Sequence, residues 1–111
     1  MISIKSININ QFYIFFFTLY NIVMYTYLAE FLGTLFYVYV IVATGNPLAI
    51  GAALALSILL TANISGGHIN PATTIVMATA GKLDVNEIIP YILAQVFGGL
   101  VALQVYSRFK L

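Results

Sequence analysis

The stretch Ser65-Gly66-Gly67-His68-Ile69-Asn70-Pro71-Ala72 constrains the fold more than any other part of the chain. Asn70 can cap a helix with its side-chain oxygen. Pro71 then takes the first helical position, where a missing N–H costs nothing. Gly81 suits the left-handed residue that closes a helix. The spacing predicts a helix of about ten residues, roughly 15 Å long, half of a roughly 30 Å hydrocarbon core. Its surroundings are apolar: of 111 residues, 62% are hydrophobic and 6% charged. No soluble domain of this size covers itself with so few charges, so the expected class is an all-α integral membrane protein, multi-pass. A capped half-length helix entered through a glycine-rich loop reads as a re-entrant segment, not a span. Non-helical backbone at membrane depth is tolerated only where protein buries it or where it lines a wet cavity. The stretch therefore points to a pore.

Several function classes fall away. A formal net charge of +1 is no nucleic-acid signature. There is no cysteine, so disulfides and thiol chemistry are excluded. One His, Glu30, Glu87 and Asp84 are scattered along the chain, which leaves little for an acid–base pair or a metal cage. Neither enzyme activity nor a cofactor is expected.

Residues 1–23 differ from the rest, being rich in Ile, Phe, Tyr and Asn, with the first alanine at Ala29 and the first glycine at Gly33. Phe12–Val23 is apolar but too short to span alone. It reads as a signal peptide, as an interfacial extension of the first helix, or as untranslated sequence upstream of Met24. The composition change near Met24 favours the last, leaving 24–111 as the membrane domain. Residues 25–43 suffice for a span, with Ala29 and Gly33 offering a small face. Glu30 is an acid inside that apolar helix and is expected to face a partner rather than reach the headgroups. Thr44-Gly45-Asn46-Pro47 is a tight turn, and residues 48–62 form an antiparallel second span, with Gly51 and Ala55 as its packing face. The re-entrant loop and half helix occupy 63–81. Lys82-Leu83-Asp84 returns the chain to the interface. A third span, 87–106, is capped by Asn86 and places Pro90 in its first turn. Ala94, Gly98 and Ala102 repeat the small-every-fourth stripe, and Gln95 reads as hydrogen-bonding glue between helices.

These residues carry a family resemblance. The octet SGGHINPA resembles the first Asn-Pro-Ala loop of the aquaporin and glycerol-facilitator family, the major intrinsic proteins. Ala29-Glu30-Phe31-Leu32-Gly33-Thr34 resembles the family's first-helix signature. Tyr91-Ile92-Leu93-Ala94-Gln95 with Gly98-Gly99 resembles its third helix. The resemblance runs from about Tyr27 to Tyr106. It implies a passive channel for water or small neutral solutes such as glycerol. The carbonyls of Gly66, Gly67, His68 and Ile69 would line one pore wall, and Asn70 would donate its side-chain N–H to a passing oxygen. The half helix from Pro71 and Ala72 would aim its positive end at the same place. Glu30 would brace the loop. For His68, the carbonyl is expected to matter and the ring to be structural.

The chain also departs from the family. The resemblance implies six spans and two Asn-Pro-Ala loops, whereas this chain carries one loop and half the spans. The selectivity-filter arginine has no counterpart, Arg108 being in the wrong context. Asn63 stands where the family often has histidine. The second-helix filter position maps near Ile50, where an aliphatic side chain would favour glycerol-like solutes. Half a channel does not close a pore. Two copies in opposite orientations would rebuild an inverted repeat, and the basic residues permit this, with Lys5 and Lys82 on one side and Arg108 and Lys110 on the other. The expected partners are the lipid bilayer, the solute, and a second copy in an antiparallel homodimer. The alternatives are a non-conducting half that regulates a full-length relative, and a gene fragment.

Overall fold

The computed structural model describes residues 6–109, so Lys5 and Lys110 lie outside the described residues. The elements are α1 (Ile9–Thr44), α2 (Pro47–Ser65), α3 (Pro71–Thr79), a 3-10 turn (Val85–Glu87) and α4 (Ile88–Arg108). Among the described residues, three helices are long and apolar enough to cross a membrane: Ile9–Thr44, Pro47–Ser65 and Val85–Arg108.

Local chemistry explains most of the boundaries. At the α1–α2 corner, Gly45 is left-handed (φ 57°) and Asn46 accepts the N–H groups of Leu48 and Ala49. Pro47 then opens α2 without losing a hydrogen bond. Asn70 repeats the device for α3, its Oδ1 accepting the Ala72 N–H at 2.8 Å. Gly81 (φ 77°) ends α3: its N–H bonds to the Ala78 carbonyl, and that of Lys82 to the Met77 carbonyl. This is the paired closure that a left-handed glycine permits.

Three expectations are corrected. The second helix reaches Ser65, three residues past 62, so the loop shrinks to Gly66–Asn70. Asn86 does not cap the last helix. Asp84 instead accepts the Asn86 N–H, and the chain enters α4 through the 3-10 turn, with Pro90 in the first helical turn. The first helix does not begin near Tyr25. It runs unbroken from a capping box at Asn8 and Gln11, because Ile9–Val23 contains no Gly or Pro to stop it.

α1 is the hub, packed against both α2 and α4, while α3 rests on α4. The buried face of α1 is Ala29, Glu30, Gly33 and Thr34. On α2 it is Ala53, Ser57, Thr61 and Ser65; on α4 it is Tyr91, Gln95, Gly98 and Ala102. The largest fully buried side chains are Gln95, Glu30, Thr74 and Ser57, while most Leu, Ile and Phe side chains face outward. Lipid is as apolar as leucine, so small and hydrogen-bonding residues hold such helices together. The packing face expected at Gly51 and Ala55 is not used within this chain, since both are exposed. They lie about half a helical turn from the Ala53–Ser57–Thr61 row that meets α1. On α4, Ala94 is half-buried beside the contact and Gln95 takes the buried place.

Gly98 allows the closest approach. A Cβ there would lie 2.5 Å from the Phe31 carbonyl oxygen and 3.3 Å from the Leu35 nitrogen, both backbone atoms that have no side-chain freedom. Gly98→Ala is therefore expected to separate α1 from α4 and cost about 1–3 kcal/mol. Gly51→Ala, with nothing within 4 Å of its Cβ, is expected to be neutral or stabilising by up to about 1 kcal/mol. Denaturant unfolding of the two variants in detergent micelles checks the contrast.

Candidate functional site

The loop after α2 requires three left-handed residues in four: Gly66 (φ 90°), Gly67 (φ 63°) and Ile69 (φ 57°). The two glycines adopt this conformation freely. Gly67 also has no room for a side chain, since a Cβ would come within 3.2 Å of both the Ile58 carbonyl and Thr61 Oγ1. Ile69 is β-branched, so its conformation carries strain of about 1–3 kcal/mol that surrounding contacts must hold. Its side chain is buried and fills the notch at Gly33, where an added Cβ would lie 2.6 Å from Ile69 Cδ1. Gly33 thus admits the loop as well as α2, whose Ser57 hydroxyl donates to the Gly33 carbonyl at 3.0 Å.

One carboxylate gathers the loop. Glu30, fully buried on α1, accepts the Ile69 N–H at 2.9 Å and the Gln95 amide at 2.8 Å on Oε1. On Oε2 it accepts the His68 N–H at 3.1 Å and the Ser65 hydroxyl at 2.7 Å. The Gly67 N–H goes to Ser65 Oγ at 3.2 Å. Four donors converge on this one side chain, from α2, the loop and α4. Glu30 does not reach the headgroups.

A second layer holds the loop from the α4 side. Gln95 Nε2 also donates to Thr74 Oγ1 at 2.9 Å, and His68 Nδ1 lies 3.0 Å from the same hydroxyl. The His68 ring packs on Tyr91 with centroids 4.9 Å apart, and Tyr91 donates its hydroxyl to the Ser65 carbonyl at 2.6 Å. Gln95 Oε1 is buried without a partner among the described residues. Thr74 and Tyr91 were not singled out for these roles by the sequence reading. The available signal was their spacing: Thr74 is one turn after Asn70, and Tyr91 one turn before Gln95.

These contacts leave a defined set of polar groups unused. Among the described residues no hydrogen bond is made to the carbonyls of Gly66, Gly67, His68 or Ile69. Asn70 is exposed and uses its oxygen as the cap, so its amide N–H groups remain available. They sit where α3 begins at Pro71 and Ala72, the positive end of that helix. Four acceptors followed by one donor can pass a hydrogen-bonding neutral molecule from group to group. Among the described residues no cluster of three His, Cys, Asp or Glu could hold a metal.

The family model for the major intrinsic proteins matches residues 20–110. A glycerol uptake facilitator protein-like 6 of Lactiplantibacillus plantarum is 46% identical over 88 residues, covering 71% of this chain and 41% of the relative. An aquaporin Z of Rhodopseudomonas palustris is 36% identical over 91 residues, covering 68% and 38%. Aquaporin-8 of Mus musculus is 48% identical over 54 residues, covering 49% and 21%. The chain thus spans less than half the length of these relatives. No solved structure matches it.

Proposed function

This chain belongs to the major intrinsic protein family, and we propose that it forms one half of a passive pore for water and small neutral solutes such as glycerol. It is an all-α, multi-pass integral membrane protein. The observation that carries the proposal is the division of hydrogen bonds along the loop. The N–H groups of Gly67, His68 and Ile69 are taken up by Ser65 and Glu30, and the carbonyls are left over. Unpaired backbone carbonyls need a partner, and a water or hydroxyl file supplies one. Asn70 then donates to the oxygen of the passing molecule, and the dipole of α3 repels cations at that point. The names of the relatives, glycerol facilitator and aquaporin, support both solute classes.

One wall is not a pore. The second half is supplied by another copy in the opposite orientation, which restores an inverted repeat. Exposed Gly51 and Ala55, and two apolar grooves of about 470 and 260 Å³ that share Ala29, Leu32 and Ile64, leave α2 and α1 with surface for such a neighbour. The other reading is a non-conducting half that pairs with a full-length relative.

The test is osmotic shrinkage of proteoliposomes, with sucrose and then glycerol as osmolyte. Flow well above that of empty vesicles, with a low activation energy, is the expected result. Re-swelling in glycerol identifies the wider solute class. Permeability equal to empty vesicles, with the protein folded and inserted, overturns the pore and leaves the regulatory reading, which co-purification with a full-length channel checks. A reporter tag at either terminus is expected to be found on both sides of the membrane; a given tag confined to one side would exclude the antiparallel pair.

A further inference from the structure

α1 is too long for the membrane that its neighbours fit. Its 36 residues extend roughly 54 Å, against about 28 Å for the 19 residues of α2 and a core of about 30 Å. The level at which α1 leaves the hydrocarbon is marked by its partners. Tyr27 donates its hydroxyl to Glu87 at 2.6 Å, and Glu87 closes the polar return through Lys82, Asp84 and Asn86. The part of α1 from Ile9 to about Met24 therefore lies beyond the slab, on the side of that return. A hydrogen bond to α2 lies at the same height, where the Thr26 hydroxyl donates to the Ile64 carbonyl at 3.4 Å. From Ile9 to Tyr20 every residue is exposed.

That excess is apolar in a particular way. With about 100° per residue, Asn10, Gln11, Thr18 and Asn21 fall within one arc of about 100°, broken only by Ile14 and continued by no charge. Ile22, Phe15, Phe12, Phe16, Tyr13 and Phe17 are spread round the remaining arc of about 260°. They are between 48% and 69% exposed. A helix with such a surface does not stand in water. A single partner helix covers a stripe of about 100°, so pairing two copies would leave most of this arc wet. Only a continuous apolar medium covers it. Without a charge between Ser6 and Val23, the surface is not matched to anionic headgroups in particular.

We propose that Ile9–Val23 is an interfacial arm. In a bilayer, α1 bends between Asn21 and Thr26, and the arm lies in the plane of the membrane. Its wide apolar arc enters the acyl chains, and the Asn10–Gln11–Thr18–Asn21 stripe faces the water. Thr26 is suited to the bend, since its hydroxyl bonds back to the Ile22 carbonyl at 2.9 Å, a contact that loosens the helical ladder. The proposal does not depend on conduction.

The chain has no cysteine, so single cysteines report on it cleanly in the full chain reconstituted into phosphatidylcholine vesicles. A membrane-impermeant maleimide is expected to label Asn10→Cys, Thr18→Cys and Asn21→Cys about tenfold faster than Phe12→Cys, Phe16→Cys and Leu19→Cys. Spin labels on Phe12→Cys/Val40→Cys measure the bend: about 42 Å for a straight helix, about 30 Å for a right-angle turn near Val23. Equal fast labelling at all six sites with the long distance overturns the arm and leaves a straight helix in water. Protection of the Phe positions that vanishes as protein is diluted in lipid overturns it in favour of a second copy. Protection of all six sites overturns it in favour of burial within the membrane core.

Discussion

Glu30→Ala is expected to destabilise the folded protein severely. The substitution leaves the His68 and Ile69 N–H groups and the Gln95 amide buried without their acceptor, while the Ser65 hydroxyl can turn to the Thr61 carbonyl, 3.4 Å away. Each orphaned buried donor costs about 1–3 kcal/mol. For the three donors the sum is about 3–9 kcal/mol, a large part of a stability of about 5–15 kcal/mol. Glu30→Gln preserves size but turns an NH2 group towards at least one of the same donors, so it is expected to lose about 2–4 kcal/mol. Thermal unfolding followed by circular dichroism, together with the monodisperse fraction in detergent, checks both. A Glu30→Ala protein as stable as the parent would show that the loop is held by something other than this carboxylate.

Asn70→Asp is expected to fold and to conduct roughly tenfold more slowly. Aspartate is as good a cap as asparagine, and a negative charge is favourable at the start of α3, so the unfolding temperature is expected to hold or rise. The change at the wall is chemical. The Asn70 amide N–H groups, left available by the cap, are replaced by a charged acceptor, and a passing hydroxyl loses its hydrogen bond at that point. A lost hydrogen bond of about 1.5 kcal/mol corresponds to roughly a tenfold slower passage. Osmotic permeability of the variant, measured at equal protein density beside the parent, checks the expectation. Unchanged permeability would remove Asn70 from the path.

How much of this was legible in the sequence varies with how local the cause is. The starts of α2 and α3 follow from Asn-Pro pairs, at Asn46-Pro47 and Asn70-Pro71, because a cap acts over three residues. The end of α3 follows from Gly81 in the same way. Asn86 misled because Asp84, two residues earlier, captured its N–H first. The start of α1 was not legible from apolar pattern, since Ile9–Val23 is a continuous helix former without a stop signal.

The sequence by itself determined the class, the number of spans, the re-entrant half helix and the presence of one acid and one amide among apolar residues. These follow from composition, length and capping, which are properties of neighbours in the chain. The tertiary structure alone decided which faces meet. In water an amphipathic pattern points to the core, but beside lipid the outward face is apolar too, and the pattern loses its information. Gly51–Ala55 and Ala53–Ser57–Thr61 are equally plausible stripes on paper, and only the second meets α1. The same holds for Glu30: an acid in an apolar helix demands partners. That they are the Ser65 hydroxyl, the His68 and Ile69 N–H groups and the Gln95 amide depends on contacts spanning 35 to 65 residues of chain. No local rule reaches that far.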